Sequence, residues 1–355
     1  MHSLPVVVLV AIFLAAAAAI WVAGVRLSNT TDVLDERLHL GSAIGGTVVL
    51  AVATNLPEIA ITASAALSHQ IGIAIGNILG GIAIQTVVLV LLDGVGMKVK
   101  RPLTFQAASL VLVLEAALVI SVLVVVVMGS QLPAHLYAAR VSPAALLILL
   151  IWVAGLFLLA KTRHGLPWHD AGQAPDNQDK PRGHAQQAKE SAATGAKVST
   201  VRAALVFAAA SAVTLVAGVV LERSGEAIAT HIGLTGVLFG ATVLAAATAL
   251  PEVSTGLTSV RMGDYQLAMG DIFGGNAFLP VLFILADLLS GRSVLAQAQR
   301  SDIYLTGLGA LLTAVYAAGL VLRPKRNILG MGLDSLVVLV LYIVGIGGLI
   351  GIASG

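Results

Sequence analysis

Two glutamates in this chain stand where a carboxylate is costly. Glu58 and Glu252 lie inside long apolar stretches, each directly after a proline, in Ala53-Thr54-Asn55-Leu56-Pro57-Glu58 and Ala247-Thr248-Ala249-Leu250-Pro251-Glu252. A charged side chain at the centre of a bilayer costs about 3 kcal/mol or more, so it is rarely found there without a partner or a cation. Pro57 and Pro251 each remove a backbone donor and clash with the carbonyl one turn earlier, which breaks the helix and frees carbonyl oxygens. Together with the hydroxyls of Thr54 and Thr248 these groups form an all-oxygen set, and hard cations such as Na+ and Ca2+ take such ligands. A lone intramembrane glutamate is commonly a helix-to-helix hydrogen bonder. Two at matching positions, each after a proline, point to ion coordination.

Further along, Gly76-Asn77-Ile78-Leu79-Gly80-Gly81 and Gly270-Asp271-Ile272-Phe273-Gly274-Gly275 carry Asn77 and Asp271 at matching positions, and Asn276 follows the second string. Glycine strings alone signal close helix packing; Asp271 adds a third candidate carboxylate. One offset of 194 residues relates both pairs of strings without a gap and places Asp93 on Asp287. The two halves are copies. Glu115 has no acidic counterpart in the second half and is expected to pair structurally. Asp302 and Asp334 are expected at the membrane interface. All eight histidines fall at or outside span ends, so none is placed to relay protons within the membrane.

These groups need an apolar frame, and the composition supplies it. Of the 355 residues 58% are hydrophobic and 11% charged, under half of the roughly 25% charge of soluble domains. A water-soluble globule is excluded, and apolar surface must face lipid. The absence of cysteine excludes disulfides, thiol catalysis and Cys-based metal centres. A formal charge of +2 gives no indication of a nucleic-acid partner. No cofactor is called for.

Ten apolar runs are long enough to cross a core of about 30 Å. They are Leu4–Val25, Leu40–Leu67, Ile71–Leu92, Leu103–Met128, Pro143–Ala160, Val201–Leu221, Gly236–Val260, Leu267–Leu289, Ile303–Leu322 and Leu329–Ile352. The first follows no Lys or Arg and is expected to be a retained helix rather than a secretory signal. The predicted fold class is an all-α polytopic membrane protein with two inverted five-helix repeats, residues 1–160 and 201–355, and broken helices at the ion site. Inverted repeats of this kind mark secondary transporters. Only Arg140, Arg223, Arg292 and Arg300 of the 20 basic residues fall on one side. The positive-inside rule then predicts a cell-membrane protein with both termini outside. The polar segment 161–200 is expected to be a flexible cytoplasmic linker, because it holds almost no large apolar residues to order it. His164, His169 and His184 within it lack the tight spacing of metal ligands.

At this point the residues resemble the sodium/calcium exchanger superfamily, the Ca2+/cation antiporters. Its two inverted repeats carry G-T-S-L-P-E followed by G-N-x-x-G-S-N-x-x-N or -D. The matches are Thr54-Asn55-Leu56-Pro57-Glu58 with Gly76-Asn77, and Thr248-Ala249-Leu250-Pro251-Glu252 with Gly270. The resemblance implies a site between the repeats at which Glu58 and Glu252 bind Ca2+ and share oxygens with Na+. Several positions depart from the pattern. The serine after threonine is Asn55 or Ala249, the serine of G-S-N is Gly81 or Gly275, and the last Asn/Asp position is Gln85 or Leu279. Asn276 keeps the second-half amide where Ile82 loses the first. The ligand set implied is therefore Glu58, Glu252, Thr54, Thr248, Asp271, Asn77, Gln85 and Asn276.

Other readings compete with Na+-driven Ca2+ exchange. Two nearby carboxylates in low dielectric hold a proton readily, which makes H+-coupled exchange the runner-up. An intramembrane aspartyl protease would use G-x-G-D, which Ala268-Met269-Gly270-Asp271 breaks. A non-transporting scaffold or ion sensor is the third class, kept open by Leu279.

Overall fold

Lipid offers no partner to an unpaired amide, so apolar runs in it must close into helices. The computed structural model describes residues 1, 3–38, 52–97, 101–107, 109–162, 200–234 and 236–354. The first half comprises α1 (Val6–Leu38), α2 (Leu56–Leu67), α3 (Ile71–Leu91, running into a π-helical turn at Leu92–Gly96), α4 (Leu103–Ala107), α5 (Leu110–Ser130) and α6 (Pro143–Thr162). The second half comprises α7 (Thr200–Ile232), α8 (Gly236–Phe239), a π-helical turn at Gly240–Leu244, α9 (Ala245–Thr248), α10 (Leu250–Met262), α11 (Tyr265–Phe278), α12 (Leu282–Ser290), α13 (Arg300–Leu322) and α14 (Leu333–Ser354). A short antiparallel hairpin pairs Asn327 with Gly332 and Ile328 with Met331, ahead of α14.

Among the described residues eight helices are long and apolar enough to cross a membrane, and nine if the bent pair 240–248 and 250–262 is one span. Residues 40–51 of the expected second span and 163–199 of the expected linker lie outside the described residues. Three expected outlines are corrected. The expected span Leu103–Met128 is two helices, because Ser109 is extended (φ −132°, ψ 128°) and its hydroxyl accepts from the Val111 amide as a helix cap. The expected runs Leu4–Val25 and Val201–Leu221 are parts of 33-residue helices, each about 50 Å long at 1.5 Å per residue. Hydropathy marked only the portion of each that is apolar.

Packing follows from what surrounds each helix. α3 is buried on nearly every face, with neighbours that include α2, the π-turn after α8, α11, α13 and α14. On α6 and α14, by contrast, Phe157 and Val344 stay about two-thirds exposed (66% and 65%). Helices that are apolar all round without being enclosed have lipid as their natural neighbour.

Two contacts obey the 194-residue offset. Gly24 of α1 lies over Pro251, where an added Cβ would come within 2.7 Å of the proline Cβ. Gly218 of α7 lies over Pro57, where an added Cβ would come within 2.9 Å of Ala60 Cβ and 3.2 Å of the Pro57 oxygen. The long helix of each half therefore crosses the proline of the other.

The matched aspartates also act alike. Asp93 accepts from the Leu103 amide (2.8 Å), the Gly332 amide (2.7 Å) and the Ser335 hydroxyl (2.6 Å). Asp287 accepts from the Val294 amide (2.7 Å) and the Ser142 amide (2.8 Å). Each secures the loop after its own helix and the N-terminus of the other half's last helix, α14 or α6, where negative charge is favourable. Asp302 closes a capping box with Gln299 at the start of α13, and Asp334 accepts a hydrogen bond from Thr104.

The Gly218 contact yields a stability test. Gly218→Ala should destabilise the protein by about 1–3 kcal/mol, the cost of overpacking a tight interface. Gly274→Ala should be neutral or better, since nothing lies within 4 Å of its added Cβ. Thermal melts of the two purified variants in detergent check this, and indistinguishable melting temperatures would refute the close crossing.

Candidate functional site

Each L-P-E string starts a helix. Proline is tolerated in the first turn, where its missing N–H would have had no partner. So α2 and α10 begin at Leu56 and Leu250, with Pro57 and Pro251 in their first turns. The residues just before them, Asn55 (φ −88°, ψ 14°) and Ala249 (φ −75°, ψ 1°), step off the helical path. At Ala249 the chain axis bends by 49°. Glu58 and Glu252 consequently occupy the first turn of a helix, where free amides and the helix dipole stabilise a carboxylate. The proline thus both breaks the span and presents the acid.

The two acids belong to one centre. Glu58 is fully buried and Glu252 is 1% exposed. The Thr248 side chain, from the second half, faces the carboxyl of Glu58 in the first; its hydroxyl also donates to the Ala245 carbonyl at 3.1 Å. In the reverse direction Gln85 of α3 donates through Nε2 to Glu252 Oε1 at 3.4 Å. Glu58 and Asp271 both act electrostatically on Glu252. Asp271 is 8% exposed and accepts from the Thr255 hydroxyl at 3.0 Å. Thr54 and Asn77 are buried, and Asn276 donates through Nδ2 to the Thr86 hydroxyl at 3.0 Å. The Glu115 carboxyl is set against Gly270, the residue before Asp271.

What remains on these residues is mostly acceptors. Both Glu58 oxygens, Glu252 Oε2, Gln85 Oε1, Asn77 Oδ1 and Asn276 Oδ1 are buried and accept no hydrogen bond. A buried carboxylate left so would cost several kcal/mol. Such a surplus of oxygen over hydrogen is what a cation satisfies. Among the described residues no three His, Asp or Glu side chains gather closely enough to hold a metal ion. Two carboxylates must therefore be supplemented by amides and hydroxyls, which suits a hard ion taking mixed oxygen ligands.

The departures from the family motif are coupled through space. A Cβ added at Gly275 would come within 3.1 Å of Asn55 Nδ2 and 3.4 Å of Gln85 Oε1. A Cβ added at Gly81 would come within 3.2 Å of Leu279 Cδ1. Gly81 and Gly275, like Gln85 and Leu279, are related by the offset of 194. Each glycine therefore makes room for a longer side chain from the opposite repeat. On the Gly275 side the amides of Asn55 and Gln85 fill the space of the missing serine; on the Gly81 side a hydrocarbon does. Asn55, read from sequence only as a lost serine, is fully buried beside Gln85. Its place directly after the motif threonine was the available signal. Thr86, the partner of Asn276, carried none, because its repeat mate is Pro280.

Fold and centre together define a helical membrane protein with a paired-carboxylate site drawn from two repeats. Residues 8–161 and 202–351 match the sodium/calcium exchanger protein family, and the chain belongs to that family. Inner membrane protein YrbG of Escherichia coli (strain K12) is 25% identical over 264 residues, 73% of each chain. The crystal structure of the H+/Ca2+ exchanger CAX superposes with a TM-score of 0.64 at 12% identity, covering 95% of this chain and 81% of that one. The sodium-calcium exchanger NCX_Mj superposes with a TM-score of 0.61 at 16% identity, covering 97% and 99%. The protein is thus a transporter of the exchanger type rather than an enzyme, and an integral membrane protein.

The Gly275 pairing predicts a compensating double variant. Gly275→Ser alone should lower stability by about 1–3 kcal/mol through collision with the Asn55 amide. Adding Asn55→Ala should recover most of that loss. Additive losses in a double-mutant cycle of melting temperatures would disprove the spatial coupling.

Proposed function

We propose that the protein is a secondary active antiporter that exchanges Ca2+ for Na+ by alternating access. The exchange site lies between two inverted five-helix repeats, and Glu58 and Glu252 are its central ligands. One observation carries the reading: buried oxygens lacking donors, two carboxylates among them, flank matched helix breaks from both halves. Two negative charges balance one Ca2+ or two Na+, and both are hard ions that take oxygen ligands. Gln85, Asn77, Asn276, Thr54 and Thr248 supply the neutral oxygens, with Asp271 at the side of Glu252. The structural neighbours include both a sodium-calcium exchanger and an H+/Ca2+ exchanger. Proton coupling at the same carboxylate pair is the second reading, because two buried carboxylates close together hold a proton readily.

The proposed topology has ten spans, both termini outside the cell membrane, and 161–200 in the cytoplasm. It rests on the distribution of basic residues.

Glu58→Gln and Glu252→Gln should each abolish Na+-gradient-driven 45Ca2+ uptake into proteoliposomes while leaving insertion and elution unchanged. Uptake at the wild-type rate in either variant would remove that residue from the site. Asp271→Asn, as a ligand loss, should weaken apparent Ca2+ affinity about tenfold for each 1.4 kcal/mol of lost binding, at any ionic strength. A slowing that vanishes in inert salt would make Asp271 part of the access path instead. For the topology, a cysteine introduced at position 180 should resist impermeant reagents applied to intact cells, and its labelling from outside would invert the assignment.

A further inference from the structure

A further buried carboxylate, Glu222, lies away from the exchange site and has no use in it. Glu222 of α7 is 1% exposed. Its Oε2 accepts from the Ser64 hydroxyl at 2.9 Å, and its Oε1 is buried without any hydrogen-bond partner. Ser64 lies six residues beyond Glu58 on α2, about 9 Å along the axis. Four residues further along α7, Glu226 accepts from Gln70 Nε2 at 2.7 Å. Gln70 in turn lines a cavity of about 230 Å³, together with His69, Arg292, Gln299 and Asp302. The seam between α7 and α2 therefore reads, from inside outward, Gly218 over Pro57, Ser64 with Glu222, Gln70 with Glu226, and then the cavity.

We infer that Glu222, held by Ser64, is a proton-binding site separate from the Glu58 and Glu252 centre and reached from the cavity at Gln70. The choice of ligand follows from the donor count. Ca2+ takes six to eight oxygens, whereas Glu222 and Ser64 offer three. A proton needs one acceptor, and Oε1 is that acceptor. Protonation forms one O–H bond and leaves the Ser64 hydrogen bond to Oε2 intact. Surrounding charge is sparse. On its own helix Glu222 has Glu226 and the exposed Arg223 beside it. α2 presents Glu58 at its far end, and the loop after it His69. On α1, whose Phe13 packs level with Gly225, the one charged residue with a described side chain is Arg26, 13 residues or about 20 Å further along. α8 and the π-turn after it carry no titratable side chain. The site belongs to one half alone, since the offset places Ser28 opposite Glu222 and Thr258 opposite Ser64.

The transport consequence rests on the exchanger reading; the site itself does not. Difference infrared spectroscopy of the purified protein, titrated without Ca2+, reads the carbonyl stretch of a protonated carboxyl. That band should disappear in Glu222→Gln, persist in Glu58→Gln and change its midpoint in Ser64→Ala. In proteoliposomes, Glu222→Gln should remove a one-proton step, with a slope of about tenfold per pH unit, from the pH profile of Ca2+ uptake. An infrared titration and pH profile identical to wild type in Glu222→Gln would overturn the assignment. If Glu222→Gln does not fold, an unmoved midpoint in Ser64→Ala overturns it equally. If wild-type protein transports no Ca2+, the exchanger reading fails, and the infrared band still decides the proton site.

Discussion

A carboxylate buried in a bilayer must find a positive charge, a donor or a proton, and much of this molecule answers that one requirement. Glu58 and Glu252 each gain a helix N-terminus, because the proline before them starts a helix in the middle of a span. Each gains a polar neighbour from the opposite half, Thr248 and Gln85 respectively. The remaining oxygens have no hydrogen-bond partner, and in the proposed function a cation meets them. Asp93 and Asp287 meet the same requirement differently, accepting backbone amides until no oxygen is left over. The contrast between satisfied aspartates at the ends of α3 and α12 and unsatisfied glutamates at the breaks separates architecture from function in this chain.

Duplication constrains the centre without making it symmetric. The same glycine position opens space in both halves, yet Asn55 and Gln85 fill it on one side and Leu279 on the other. One wall of the centre is therefore rich in amides and the other is apolar. A bound ion would be pulled toward the polar wall, where Glu252 meets Gln85.

Much of this was legible in the residues. The L-P-E strings, the offset of 194 and the glycine runs located the breaks, the paired acids and the halves, because each depends on local chemistry or on self-comparison. Helix ends were less legible: hydropathy stops where apolar residues stop, whereas the backbone of α1 and α7 continues through polar residues. The cap at Ser109 was hidden for a related reason, since a serine in an apolar run reads as tolerated rather than as a stop. Contacts between halves were the least visible. Nothing in the order of residues says that Gly275 faces Asn55, or that Ser64 faces Glu222 across a separation of 158 residues.

The reciprocal arrangement of Asp93 and Asp287 bears on how the two halves depend on one another. Each half ends in a helix whose opening amides are claimed by an acid carried on the other polypeptide segment, Gly332 by Asp93 and Ser142 by Asp287. A half expressed by itself would leave its aspartate holding only its own loop and the start of its last helix with no acid to hold it. Its complement is a second half. The joining of the two in one chain turns what would be a concentration-dependent assembly into an intramolecular certainty, and makes each half a folding cofactor for its twin.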